Sequence, residues 1–210
     1  MNKPAFQILG LTGPTGAGKG AISAVLSDCG IPVLDTDVVS RIVYEPGQPC
    51  LSALTAEFGT EILLPDGNLD RAKLAALVFG EPDPEKKKEK LSSLNRIAHR
   101  YILAYSRDWL AAQKAAGYSA ACIDAPQLFE SGFDRECDYI IGVTAQKETR
   151  IARIMARDGI TEEKTLARIS AQHDDAFFAR NCDVLLENNG SKESLTELVK
   201  DILRARGLLS

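Results

Sequence analysis

A glycine-rich turn near the amino end constrains the fold of this chain more than any other feature. The turn runs from Gly13 to Lys19 with the pattern G-x-x-x-x-G-K. Apolar residues 6–11 predict a strand before it, and Ile22 and Leu26 predict the buried face of a helix after it. Such a turn between a strand and a helix can direct successive backbone N–H groups at phosphate oxygens. The pattern therefore predicts a strand, a phosphate-binding loop and a helix in one unit.

The expected nucleotide contacts follow from this loop. Lys19 can reach the β- and γ-phosphates of a nucleoside triphosphate, and the amino end of the next helix adds positive potential. The following position, where such loops normally carry a Ser or Thr that binds Mg²⁺, is Gly20. Adenylate kinases, which bind magnesium nucleotides, have a loop that resembles this Gly-Lys-Gly sequence. We expect the nucleotide to be held by Gly13, Pro14, Thr15, Gly16, Ala17, Gly18, Lys19, Gly20 and Ala21.

Short apolar segments alternate with helical segments along the rest of the chain, which is typical of a parallel sheet. The predicted strands cover residues 6–11, 31–34, 120–123, 139–143 and 184–186. The spacing of Leu195, Val199 and Ile202 predicts an amphipathic closing helix. We therefore predict an α/β fold of the P-loop nucleoside triphosphatase type, with three α/β/α layers and a five-stranded parallel sheet.

Two insertions divide this predicted core. The stretch between the second and third strands is too long for a simple crossover, so we expect residues 37–117 to form a helical, acceptor-binding subdomain. Residues 147–176 carry Arg150, Arg153 and Arg157 at helical spacing and are expected to form a lid. Arg153 and Arg157 are the expected phosphate contacts there, although a solvated charged helix face explains each arginine equally well. The nucleotide-binding core is then residues 1–36, 118–146 and 177–210.

Three acidic residues lie at the ends of predicted strands, the edge at which parallel sheets bind ligands. Asp35 ends the second strand, Asp37 lies two positions further on, and Asp124 ends the third strand. We expect Asp35 and Lys19 to be catalytic, because a carboxylate can orient an acceptor hydroxyl and take its proton. Asp124 is expected to bind Mg²⁺ through water. Helix capping is an equal alternative for Asp37 and for Asp124.

Composition places the chain among ordinary globular proteins. Its formal charge of −4 gives no broad positive field for nucleic acid or an anionic membrane. No apolar stretch approaches the roughly 20 residues that span a bilayer, and residues 1–6 lack an apolar signal segment. Five scattered cysteines without a C-x-x-C pair predict free thiols, not disulfides or a zinc site. We expect a cytoplasmic protein, monomeric or weakly homo-oligomeric, without nucleic-acid or membrane partners.

A series of short motifs runs through the chain. The first are residues 10–13, Asp35-Thr36-Asp37 with Arg41, residues 45–49 and Phe58-Gly59. The next are residues 66–71, 78–79 and 94–99, followed by Asp124-Ala125-Pro126-Gln127-Leu128-Phe129-Glu130. The last are residues 157–159, 169–172, 182–183 and 188–190. Taken in this order, the motifs resemble those of the dephospho-coenzyme A kinase family nearly from end to end.

The resemblance implies transfer of a phosphoryl group from ATP, with Mg²⁺, to the ribose 3′-hydroxyl of dephospho-CoA, the last step of coenzyme A biosynthesis. The acceptor site that it implies consists of Asp37, Arg41, His99, Leu128, Phe129 and Glu130. By sequence alone His99, near Ile97 on a helix, is more often a structural histidine. Gln127 and Arg100 replace the family's usual leucine and proline. Without a proline at residue 100, we expect the helix to continue unbroken past His99.

Two other functions stay open. A nucleoside monophosphate kinase is favoured by the Gly-Lys-Gly loop and disfavoured by the long helical insertion and by Leu128-Phe129-Glu130. A regulatory protein that binds nucleotide with little catalysis is favoured by the missing hydroxyl at Gly20. A GTPase switch fits less well, because no N-K-x-D signature follows the fourth predicted strand.

Overall fold

A computed structural model describes residues 6–209 of the chain. Within that range the chain forms one parallel sheet with the strand order β2-β3-β1-β4-β5. The strands are β1 (Gln7–Thr12), β2 (Val33–Asp35), β3 (Ala120–Asp124), β4 (Tyr139–Thr144) and β5 (Val184–Glu187). The predicted α/β class and the five-stranded parallel sheet are confirmed. The second strand begins two residues later than predicted, at Val33, directly after Pro32.

Helices connect the strands. They are α1 (Lys19–Asp28), α2 (Thr36–Ile42), α3 (Pro49–Phe58), α4 (Arg71–Phe79), α5 (Pro84–Ala115), α6 (Lys147–Asp158), α7 (Glu162–Ser170), α8 (Asp175–Asn181) and α9 (Lys192–Ala205). Short 3₁₀ turns occur at Thr60–Ile62 and Phe133–Glu136. No helix within residues 6–209 combines the length and the apolar character that crossing a bilayer requires.

The core lies on both faces of the sheet because successive side chains of a strand point to opposite sides. On one face Leu9 and Leu11 of β1 pack with the buried residues of α1 and α9. On the other face Leu128 lies against Gly10. All five residues of β3 are buried, as expected for a central parallel strand that is covered on both sides.

The chain divides into two compact units. The first consists of the chain up to Asp35 together with the chain from Leu110 onward, and it contains the sheet. The second, Thr36–Trp109, is helical and has its own buried residues, among them Leu54, Ile62 and Val78. It includes most of α5, which runs unbroken through Arg100, as the absence of proline there predicted.

The cysteines are all free thiols, as the sequence predicted. Cys50 and Cys122 are buried, and the other three are partly buried. Burial raises the pKa of the Cys50 thiol to about 11 and that of Cys137 to about 12. These thiols therefore stay protonated near neutral pH, as packed core groups do.

Helix α9 gives a direct test of this packing, because it carries one buried and one exposed leucine. Leu203→Ala deletes a fully buried side chain and is expected to lower the free energy of unfolding by about 2–5 kcal/mol. The same change at Leu198, which is 47% exposed, is expected to cost less than about 1 kcal/mol. Urea unfolding followed by circular dichroism measures both. Equal losses at the two positions would contradict the buried face assigned to α9.

Candidate active site

The glycine-rich loop lies between β1 and α1, at the point where the strand order of the sheet reverses. Gly13 and Gly18 have φ angles of 149° and 100°, in the region that favours glycine. A Cβ at Gly13 would lie 2.2 Å from the carbonyl oxygen of Val143, and one at Gly18 would lie 2.1 Å from Nδ2 of Asn188. The loop therefore needs glycine both for its conformation and for close contact with β4 and the end of β5.

The amino end of α1 is open to a ligand. Gly18 is the residue before the helix and, as a glycine, provides no side-chain cap. The first N–H groups of a helix lack intrahelical partners, and together with the helix dipole they favour an anion. Lys19 is the first residue of this helix, and 18% of its side chain is exposed. The loop, the helix end and the ammonium group therefore form one cationic site.

Two arginines of α6 hold the loop through its carbonyl groups. The Nε of Arg150 donates to the carbonyl oxygen of Thr15 at 3.0 Å. The Nη1 of Arg153 donates to the carbonyl oxygens of Gly16 and Ala17, at 3.3 and 3.2 Å. The carbonyl groups of residues 15–17 are thus bound by cations, and they are directed to the side of the loop on which α6 lies. Arg153 thus has a contact that its sequence position did not predict, and its role as a phosphate ligand stays a prediction.

Arg150 is a site residue that the sequence analysis left out of the nucleotide contacts. It is only 6% exposed, and its Nη1 lies 3.8 Å from Oδ1 of Asp175. Burial lowers the pKa of Arg150, and Asp175 opposes that change. The helical spacing placed Arg150 in line with Arg153 and Arg157, but spacing alone did not indicate that it would be the buried member.

Arg157, the third arginine of the series, lies on the exposed side of the loop. Its Nη2 donates to Oγ1 of Thr15 at 3.4 Å, and its Nε donates to Oδ1 of Asp158 at 2.7 Å. Asp158 also binds Arg168. Hydrogen bonds from Arg157 are the main reason that the pKa of Asp158 falls to about 2, and Arg168 adds to the effect. Two exposed guanidinium groups are thus held near one carboxylate, and Arg157 also contacts the loop.

Two amide side chains complete the contacts to the loop, and sequence reasoning did not assign them a role. The backbone N–H of Thr15 donates to Oε1 of Gln172 at 2.9 Å. Asn188 donates from Nδ2 to the carbonyl oxygen of Ala17 at 2.9 Å. Both residues belong to motifs that carry the family resemblance, and those motifs could have indicated that the two side chains have a role at the site.

The acidic residues that end β2 and β3 are neighbours. Asp35 pairs with Asp124 in the parallel register of the two strands. Asp124 is 7% exposed, and its Oδ1 lies 3.6 Å from Nζ of Lys19. Its Oδ2 accepts a hydrogen bond of 2.8 Å from the hydroxyl of Ser23, another residue that the sequence analysis did not single out. The carboxyl edge of the sheet thus brings two carboxylates and the loop lysine together.

Electrostatics at this edge are set by burial. Burial raises the pKa of Asp124, and the charge of Asp35 adds to this rise. The ammonium of Lys19 and the hydrogen bond from Ser23 oppose it. Asp124 is the last residue of β3, and helix capping stays an alternative role for it. Asp37, in contrast, lies in the first turn of α2.

The residues at this edge suit Mg²⁺. That ion usually keeps several waters and binds through one or two carboxylates together with substrate phosphates. Asp35 and Asp124 supply oxygen donors beside the loop. Within residues 6–209 no cluster of three or more His, Cys, Asp or Glu side chains could form an all-protein metal cage. The arrangement therefore fits an ion that arrives with its nucleotide, and Asp124 as its water-mediated ligand stays a prediction.

The predicted acceptor residues are divided between the two units. Leu128 is buried, Phe129 packs edge-on against Phe177 with ring centroids 5.2 Å apart, and Oε1 of Glu130 lies 3.4 Å from Nε2 of His173. These three predicted residues follow β3 in the first unit. The second unit holds Asp37 and Arg41 on α2, both exposed, and His99 on α5, which is partly buried. Their roles in binding stay predictions.

The sheet order, the loop between β1 and α1, and the carboxylates at the strand ends define a P-loop phosphotransferase fold. A sequence model of the dephospho-CoA kinase family matches residues 7–194. The chain belongs to the dephospho-CoA kinase family, so the resemblance seen in its motifs is confirmed.

Individual proteins agree with this assignment. The dephospho-CoA kinase of Listeria monocytogenes is 38% identical over 193 residues, which cover 92% of this chain and 94% of that protein. The crystal structure of TT1252 from Thermus thermophilus is 31% identical, with a TM-score of 0.77 over 97% of this chain and 98% of that one. The dephospho-CoA kinase from Campylobacter jejuni, at 20% identity, shares the fold with a TM-score of 0.69 over 96% of this chain and 97% of that one.

The loop geometry predicts that alanine is harmful at one glycine and tolerated at another two positions away. Gly18→Ala combines a strained φ of 100° with a clash at Asn188 and is expected to weaken ADP binding by roughly tenfold or more. Gly20→Ala is the matched control, because a Cβ there meets nothing within 4 Å. Its ADP affinity is expected to stay near that of the wild type. Isothermal titration calorimetry measures both, and equal affinities would contradict the close contact at Gly18.

Proposed function

We infer that the protein transfers the γ-phosphoryl group of ATP to the ribose 3′-hydroxyl of dephospho-CoA, giving CoA and ADP. The observation that carries this inference is the loop with Lys19 beside Asp124 and Asp35, in a chain that matches the dephospho-CoA kinase family over residues 7–194. Phosphoryl transfer needs little covalent chemistry from the protein, since catalysis consists of positioning and charge stabilisation. The groups described above are suited to both tasks.

The loop and α1 hold the triphosphate. Backbone N–H groups of the loop and of the first turn of α1 bind the phosphate oxygens, although Pro14 has no N–H and that of Thr15 donates to Gln172. The Lys19 ammonium reaches the β- and γ-phosphates. Arg150 and Arg153 keep the loop in this conformation by binding its carbonyl groups. Because these donors are in place before the nucleotide binds, they stabilise transferred charge without reorganising.

Asp35 is the group that accepts the proton of the acceptor hydroxyl. It ends β2, is exposed, and lies beside the strand that carries Asp124. A carboxylate in this position orients the hydroxyl oxygen for attack in line with the leaving ADP and takes its proton as transfer proceeds. Asp124 would hold Mg²⁺ through water, and the ion when bound neutralises charge on the phosphates.

Arg157 provides a cation on the solvent side of the loop. It contacts Thr15 and is held by Asp158. Its Nε and Nη2 both donate to Asp158, which fixes the orientation of the guanidinium group. A guanidinium group has five N–H donors, so one that is oriented in this way can bind a phosphate as well. Residues 147–176 thus serve as the lid over the transferred group.

The family resemblance assigns acceptor binding to Leu128, Phe129 and Glu130 in the first unit. In the second unit it assigns acceptor binding to Asp37, Arg41 and His99. Thr36–Trp109 is then the acceptor-binding subdomain. Five free thiols favour the reducing cytoplasm as the place of the reaction, and we expect a monomer or a weak homo-oligomer.

Product identification tests this function. Purified protein with ATP and dephospho-CoA is expected to yield CoA and ADP, detected by mass spectrometry, whereas AMP in place of dephospho-CoA yields no ADP above background. Lys19→Ala, which removes the ammonium group, is expected to lower the rate by at least about 100-fold. Turnover of AMP in preference to dephospho-CoA would support a nucleoside monophosphate kinase. Binding of both substrates without formation of CoA would support a regulatory protein, the alternative that the missing hydroxyl at Gly20 favours.

Asp35→Asn separates catalysis from binding. It removes the proton acceptor while keeping the shape of the side chain, so kcat is expected to fall by about 10²–10⁴-fold with ATP affinity largely kept. Steady-state kinetics and calorimetry give the two values. The control is Asp28→Asn, the same change at an exposed residue that ends α1, which is expected to behave as the wild type. A parallel loss of turnover and ATP affinity would indicate that Asp35 is structural.

A further inference from the structure

The loop lacks the hydroxyl that P-loops normally present to Mg²⁺ and to the acid that ends a neighbouring strand. Gly20 and Ala21 stand where that hydroxyl is expected. A hydroxyl nevertheless reaches the acid, because Ser23 Oγ donates to Oδ2 of Asp124 at 2.8 Å. Ser23 lies within α1 itself, one turn after the usual position.

Helical geometry explains how Ser23 reaches Asp124. Residues four apart lie on the same face of a helix, one above the other. Lys19 and Ser23 have this spacing, and both approach the carboxylate of Asp124 at the end of β3. Lys19 lies near Oδ1, and Ser23 binds Oδ2. Two side chains of α1 therefore approach the two oxygens of the Asp124 carboxylate.

We propose that Ser23 is a positioning residue that replaces the missing loop hydroxyl by fixing the carboxylate of Asp124. This proposal rests on the kinase function inferred above. Asp124 is 7% exposed, so water contributes little to orienting its carboxylate. A hydrogen bond from a hydroxyl to a carboxylate is among the stronger ones in proteins, and it restricts rotation of the group. With Oδ2 held by Ser23, Oδ1 stays beside the Lys19 ammonium, where the phosphates and their metal ion arrive.

The surroundings of Gly20 make the replacement testable. Gly20 lies in α1, and a Cβ built there meets nothing within 4 Å. A serine is therefore tolerated at position 20, and the usual hydroxyl can be restored without disturbing the packing. If Ser23 takes the role of that hydroxyl, a serine at position 20 makes the Ser23 hydroxyl unnecessary. If Ser23 merely ties α1 to β3, a serine at position 20 raises the Mg²⁺-dependent affinity by the same factor whether Ser23 is present or replaced by alanine.

The readout is the gain in ADP affinity on adding Mg²⁺, measured by calorimetry without turnover. Ser23→Ala is expected to reduce this gain by roughly tenfold while metal-free ADP affinity changes little. The Mg²⁺ concentration for half-maximal CoA formation rises in parallel. Ser23→Thr keeps the hydroxyl and is expected to retain the gain. Ser27→Ala, the same change at an exposed residue one turn further along α1, serves as the control and behaves as the wild type.

The decisive variants combine two changes. Gly20→Ser in the Ser23→Ala background is expected to restore the Mg²⁺ gain, whereas Gly20→Ala in that background does not. The proposal is overturned if Ser23→Ala keeps the full gain, if it lowers only the melting temperature, or if the serine and alanine at position 20 restore the gain equally. Absence of CoA formation by the wild type would instead refute the kinase function. The binding measurements would still decide the role of Ser23.

Discussion

The contact between the glycine-rich loop and later parts of the chain is the constraint on which the rest of the site depends. Gly13 lies against the backbone of β4, and Gly18 lies against Asn188 after β5. Guanidinium groups of α6 hold the carbonyl oxygens of the loop. Cations and close packing therefore fix the loop on this side. The open amino end of α1 and the Lys19 ammonium then complete a site for anionic phosphates.

The second determinant is the register of parallel strands. Asp35 and Asp124 lie far apart in the sequence, yet β2 and β3 pair so that the two residues are opposite each other. Since β1 is the other neighbour of β3, the same edge also lies beside the loop. Two carboxylates, one exposed and one buried, are therefore brought together with a lysine by the pairing of the strands. The membership of the dephospho-CoA kinase family fits this arrangement, since in-line transfer needs positioned charges more than covalent chemistry.

Helix α6 shows how much of the site could be predicted from the sequence. The spacing of its arginines indicated one helical face and a role near phosphates. It could not indicate that Arg150 is buried under the loop while Arg157 remains exposed beside Asp158. That difference depends on the packing of α6 against the loop, which no local pattern encodes. For the same reason Gln172 was quoted only as part of a motif, although its amide oxygen accepts from the loop itself.

The sequence by itself determined the loop, the strands, the principal helices and the family, because each of these is expressed in short-range patterns: glycine spacing, apolar periodicity and motifs in order. It also predicted that α5 would continue past His99, since a missing proline is a local fact. Only the tertiary structure decided which groups hold the loop and which donor reaches each oxygen of Asp124. Ser23 is the clearest case, because a serine in a helix is chemically unremarkable until the end of β3 is placed against it. Hydrogen bonds between distant segments depend on distances of a few tenths of an ångström, and those are set by packing rather than by any local sequence pattern.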